Sequence, residues 1–119
     1  MEGASSLSSP LGRIRISHDA VAQIAGRVAA EAYGVVAMAP RGPRDRLRLR
    51  DPLRQGIAIT GSAEEGVTIE LSVVVEYGLN LAEVASTLRN RVRYEVERLT
   101  GLRVAEVEVR IQDVKSSSA

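Results

Sequence analysis

The stretch that most constrains this chain runs from Val67 to Leu102. Val67, Ile69, Leu71, Val73 and Val75 alternate with Thr68, Glu70, Ser72, Val74 and Glu76, the period-two signature of a strand with one buried face. A turn at Glu76-Tyr77-Gly78 follows. Asn80 stands as an N-cap, with Glu83 three residues on in the capping-box position. Leu81, Val84, Ala85, Leu88, Val92, Val96 and Leu99 then recur at helical spacing as one apolar stripe. Gly101 fits the left-handed position past the helix end, and Leu102 supplies the hydrophobic contact that accompanies it. A long half-buried strand and a long amphipathic helix must each bury an apolar face, so the chain is committed to a layered α/β arrangement.

The flanking segments extend this pattern. Ile14 and Ile16 alternate with Arg13 and Arg15 in a short strand over Gly12–Ser17. Ser17 is a good N-cap, and Asp19 in the first turn suits the helix dipole. Val21, Ile24, Ala25, Val28, Ala29 and Ala32 mark a helix whose small residues, Gly26 among them, predict close packing on a sheet, with Gly34 ending it. Val35–Met38 is a short apolar run, a candidate strand. Ile57–Thr60 is a strand, and Gly61–Gly66 a hairpin connection. Val107, Val109 and Ile111 against Glu106, Glu108 and Arg110 give a closing strand. The order β-α-(β)-β-β-α-β predicts an α/β (α+β) two-layer sandwich, a small mixed sheet with two helices on one face. The expected organisation is a flexible Ser-rich tail over residues 1–11, a single domain over 12–115 with an Arg/Pro-rich loop at 40–55, and a disordered tail over 116–119.

At 119 residues the chain has room for one domain, and with no Phe, no Trp and three Tyr its core must be aliphatic. The absence of Cys excludes disulfides, thiol catalysis and cysteine metal sites. The N-terminus lacks the basic start and apolar run of a secretory signal. No apolar run approaches the roughly 20 residues of a transmembrane helix. The expected location is the cytoplasm, with any membrane contact peripheral.

Catalytic equipment is sparse. His18 is the only histidine, and the sequence offers it no Cys, second histidine or evident triad partner, so an exposed first-turn residue is the simpler reading. No metal-ligand spacing and no phosphate-binding glycine pattern occurs, so no cofactor is expected. Glu70, Glu76, Glu106 and Glu108 fall on outward strand positions; if those strands are neighbours, they form an acidic patch on the open sheet face, which Arg13, Arg15 and Arg110 would meet. Arg91–Glu95 and Arg93–Glu97 are i,i+4 pairs in the weaker, base-first orientation. The most suggestive polar feature is the loop bearing Arg41, Arg44, Arg46, Arg48, Arg50 and Arg54, opposed only by Asp45 and Asp51. It carries about +4 while the chain as a whole is +1. A basic loop attracts nucleic-acid phosphate, anionic headgroups or an acidic protein surface; a solvated loop is the plain alternative. Arg46-Leu47-Arg48-Leu49-Arg50 alternates within it, as an edge strand or an extended arm.

Taken in order, Gly12-Arg13-Ile14-Arg15-Ile16-Ser17, Ile24-Ala25, Tyr33-Gly34-Val35, Gly56-Ile57, Val75-Glu76-Tyr77-Gly78, Ala82-Glu83-Val84-Ala85, Val96-Glu97, Leu99-Thr100-Gly101-Leu102 and Asp113-Val114 resemble the bacterial alkaline-shock-protein family, the cell-envelope stress-response proteins. The resemblance spans about Gly12 to Lys115. It implies a small, cytoplasmic, non-enzymatic protein of envelope stress response or envelope homeostasis, with a protein partner, in some members an integral membrane protein, and with self-association into a homo-oligomer. It supplies no catalytic residue. The arginine loop departs from the family pattern. It motivates the alternative of a nucleic-acid-binding module, which lacks both the aromatic set of RNA-recognition motifs and the G-x-x-G loop of KH domains. An unrecognised enzyme would need a deep pocket that gathers His18 with the sheet carboxylates.

Overall fold

The computed structural model describes residues 6–8, 15–40 and 55–116. In chain order the elements are β1 (Ser6–Ser8), β2 (Arg15–Ser17), α1 (His18–Glu31), β3 (Val35–Met38), β4 (Ile57–Ser62), β5 (Gly66–Glu76), α2 (Leu81–Thr100) and β6 (Val104–Lys115). The two-layer sandwich with a mixed sheet is the observed fold. The alternating strand read from the sequence is its central strand, β5.

On one flank of β5, β4 pairs antiparallel with its first half, from Ser62↔Gly66 to Ile57↔Leu71. The candidate strand β3 forms and pairs antiparallel with the second half, from Met38↔Val73 to Val35↔Val75. β3 and β4 are therefore two collinear pieces of one interrupted strand. The interruption is closed by a single residue of β5: the Ser72 carbonyl accepts the Ala39 N–H at 2.9 Å, and the Ser72 N–H donates to the Gly56 carbonyl at 2.7 Å. On the other flank β6 runs parallel to β5 from Val67↔Val104 to Glu76↔Lys115. Parallel neighbours need a long crossover, and α2 provides it.

Both helices pack on the same face of this sheet. Val67, Ile69, Leu71, Val73 and Val75 are fully buried there, beneath Val21, Ala25 and Ala29 of α1 and Leu88, Val92 and Val96 of α2. Complete burial of such side chains stabilises the fold by about 1.5–3 kcal/mol each. The small residues of α1 act as expected: Ala22, Ala25, Gly26 and Ala29 are all buried, which lets the helix axis approach the sheet. Ser17 caps α1, its Oγ accepting the Ala20 N–H at 3.0 Å. The helix stops at Ala32, and Gly34 follows in the turn. Asn80 caps α2 by accepting the Glu83 N–H at 3.0 Å. At the other end of α2, Gly101 takes the left-handed conformation at φ 75° and donates its N–H to the Glu97 carbonyl at 2.9 Å. Thr100 Oγ1 donates to the Val96 carbonyl at 2.6 Å and accepts the Leu102 N–H at 3.1 Å.

Four local expectations are corrected. Ser6–Ser8 pairs with Arg15–Ser17, inside the segment read as a flexible tail. That ribbon is separate from the main sheet, so Arg15 does not share the open face with Arg110; Arg13 lies outside the described residues. Val74, expected to be exposed, is only 9% accessible, because the central strand is flanked on both sides, by Ala37 and Asp113 at this register. The base-first pairs on α2 are not among the ion pairs of the described residues. Arg93 and Glu97 instead reach the first residue of β6, and Glu95 pairs with Arg98 at 2.7 Å in the acid-first order. The hydrogen bond that Arg98 donates to the Glu95 carboxylate holds the guanidinium above its ordinary pKa.

Candidate interaction surfaces

The six arginines Arg41, Arg44, Arg46, Arg48, Arg50 and Arg54 lie outside the described residues, and only their points of departure and return are fixed. The chain leaves the sheet after Ala39 and re-enters at Gly56. Both are buried and both are tied to Ser72, so the arginine segment is an insertion within one strand position of the sheet. A Cβ on Gly56 would meet the Ala39 carbonyl oxygen at 2.6 Å and the Ser72 carbonyl oxygen at 2.7 Å, and its φ is +79°. Only glycine closes the return without displacing backbone.

The acidic patch on the open face does form. The register sets Glu70 beside Glu108 and Thr68 beside Glu106 on adjacent strands. Glu108 pairs with Arg110 at 3.3 Å, and both are exposed. Lys115 stands next to Glu76 at the far end of the face.

His18 is half-buried rather than exposed, and its Nε2 is buried with no hydrogen-bond partner among the described residues. It begins α1, in the helix layer, whereas the carboxylates lie on the opposite face of the sheet. The clefts between α1 and α2, beside Tyr33 and Asn80, and along residues 106–109 of β6 do not bring His18 together with the sheet carboxylates, and the described residues hold no group of three or more potential metal ligands. A cleft of about 450 Å³ between α1 and α2 has Ile24 and Leu99 among mixed charges, Arg27, Glu31, Arg91 and Glu95. Its chemistry is that of a solvated helix–helix groove.

Two features escaped the sequence reading. Tyr33 and Tyr77 are 75% and 74% exposed, in turns that the Glu76 N–H to Gly34 carbonyl bond of 2.9 Å joins. Leu81 is exposed beyond them. Their signal was the repeated Tyr-Gly pair, Tyr33-Gly34 and Tyr77-Gly78, which puts an aromatic side chain on a turn and not in the core. The second is which strand leaves its edge open: β6 pairs with β5 and with no other strand among the described residues. Its signal was the charge alternation of Glu106, Glu108 and Arg110, a pattern that suits a sheet edge.

Comparison with known proteins adds the biological frame. Residues 6–116 match the profile of the alkaline-shock-protein family, described as having a cell envelope-related function. YloU of Bacillus subtilis, an uncharacterized protein, is 31% identical over 114 residues, covering 92% of this chain and 93% of its own. The uncharacterized protein Spy1614 of Streptococcus pyogenes is 30% identical over 108 residues, covering 87% and 88%. A stress response regulator gls24 homolog of S. pyogenes is 29% identical over 73 residues, covering 61% of this chain and 40% of its own. No solved structure matches. No helix of the described residues is long and apolar enough to cross a membrane.

Proposed function

The chain belongs to the alkaline-shock-protein family, and on that premise we propose that it is a non-enzymatic interaction protein of the bacterial cell-envelope stress response or envelope homeostasis, working in the cytoplasm through protein partners near the membrane. The observation that carries this reading is the match along residues 6–116 to a family with a cell envelope-related function, with a stress response regulator homolog among the relatives. The dispersal of His18 and the carboxylates supports a role in binding and not in turnover. The arginines at 41, 44, 46, 48, 50 and 54 are the partner-contacting or anion-contacting surface in this reading. An insertion anchored at both ends by one sheet residue can carry a binding sequence with little demand on the core. Self-association belongs to the same reading, and sedimentation of the purified protein tests it, a strict monomer removing it.

The main test is affinity capture from native lysate, with and without nuclease, comparing the wild type with a variant in which the six arginines are replaced by Ser. Recovery of a membrane or envelope-biogenesis protein regardless of nuclease is expected, with its loss in the variant. Recovery of nucleic acid, with protein partners vanishing after nuclease, would make the chain a nucleic-acid binder instead.

A further inference from the structure

Strand β6 is closed at its start and open along its middle. At Val104, Glu97 Oε2 accepts the backbone N–H at 2.9 Å and Arg93 Nη1 donates to the carbonyl at 2.9 Å, so side chains of α2 satisfy the outward edge there. That cover ends by Glu106. Alternate residues of a parallel edge strand direct N–H and C=O away from the sheet, and over Glu106–Ile111 those groups have no partner among the described residues. At this level α2 presents the short side chains of Ala82, Ala85 and Ser86, with Arg89 beside them. A groove of about 330 Å³ opens between them and residues 106–109 of β6.

The two sides of the groove differ in chemistry. On the helix side Val107 and Val109 join the alanines, and Arg89 is the one cation, an exposed one. On the open face Glu106 and Glu108 point outward beside Glu70. Glu70 and Glu106 have no ion-pair partner among the described residues, and adjacent like charges on neighbouring strands are destabilising. A strand laid along this edge would have alternate side chains on these two sides, apolar against the groove and charged against the carboxylates. We propose that the free edge of β6 is the docking site for an extended segment of a partner protein in which basic and apolar residues alternate, added to the sheet as a further strand. The proposal rests on the reading of the chain as an interaction protein and names the surface and the partner chemistry. Backbone pairing holds the segment, the carboxylates select its basic positions, and the groove between Ala82, Ala85 and Val107 takes its apolar ones. The rival occupant is a second copy of this chain, since Arg46-Leu47-Arg48-Leu49-Arg50 alternates in the same way.

The test titrates isotope-labelled full chain with a capped peptide alternating Arg with Leu and Val, and with an isomer of the same composition whose arginines are contiguous. Amide signals are followed by NMR. The expected result is a shift concentrated in Glu106–Ile111, with the alternating peptide bound at least about tenfold tighter than its isomer. The doubly substituted Glu106→Lys, Glu108→Lys chain, whose altered residues are exposed, keeps the fold and loses about the same factor. Equal binding of the two peptides would reduce the effect to charge alone and overturn the proposal, as would shifts mapping elsewhere or no binding. Concentration-dependent change of the β6 signals without peptide, abolished when Arg46, Arg48 and Arg50 are replaced, would assign the edge to a second copy and overturn it too. Failure of peptide binding while an envelope protein is still captured from lysate removes only this edge. Peptide binding without such capture removes the envelope reading and leaves the edge.

Discussion

The two flanks of β5 solve the same pairing problem in opposite ways. One is broken: β3 and β4 share the length of β5, and the basic segment leaves through the gap. The other is the unbroken twelve-residue β6, lined with carboxylates on its open face. The broken flank is tolerated because each fragment has its own apolar contribution to the core. Val35 and Met38 pack against it from β3, and Ile57 is buried within it from β4. The continuous flank needs no such anchoring and instead leaves an edge open. Stability is therefore concentrated in the strand common to both flanks, and the surfaces available for partners lie where each flank departs from it.

The largest expected effect comes from breaking what the flanks share. Leu71 is fully buried at the point where β4 and β6 meet β5, opposite Ile57 and Val109. Leu71→Ala is expected to destabilise the fold by about 2–5 kcal/mol, measured by denaturant unfolding. A loss under about 1 kcal/mol would mean that the flanks hold each other without the central strand. Next comes the closure of the broken flank. Gly56→Ala forces a side chain against two carbonyl oxygens at a positive φ, and about 1–3 kcal/mol is expected. Amide exchange should accelerate at Ser72 and Ala39 more than along β6. Uniform acceleration would show that the two flanks unfold as one unit and break the comparison. For the continuous flank, Glu97→Ala removes the acceptor of the Val104 N–H, and about 1 kcal/mol is expected, with faster exchange at Val104.

These assignments also show what a sequence can and cannot disclose. The segment Val67–Leu102 was legible because strand and helix periodicities, the Asn80 cap and the Gly101 stop are all local, and the cap and the stop reappear in the structure as a hydrogen bond and a left-handed torsion. Pairing is not local. Nothing in Val35–Met38 or Ile57–Ser62 announces that they are halves of one strand, since their common partner lies beyond both. For the same reason Arg93 and Glu97 read as a helical ion pair when their partner is Val104, across the turn that follows the helix. The acidic face was half legible: alternation placed Glu70 and Glu108 outward, but only the parallel register set them side by side. For the arginine loop, composition disclosed its charge, while its place in the sheet follows from Ala39, Gly56 and Ser72.

The smallest effect on stability sharpens the comparison most. If the segment 41–54 is an insertion and not part of the broken strand, replacing it with a Gly/Ser linker of about six residues should leave the fold intact. The shorter loop should even stabilise it by about 0.7 kcal/mol through reduced closure entropy. Ala39 and Gly56 already meet at Ser72, so the linker has almost no distance to span. The shortened protein should unfold cooperatively at slightly higher denaturant and keep its β3 and β4 amide protection, yet lose the partner captured by the wild type. Destabilisation by several kcal/mol would instead make the arginine segment part of what holds the broken flank together. The difference between the two flanks would then be one of chain path and not of function.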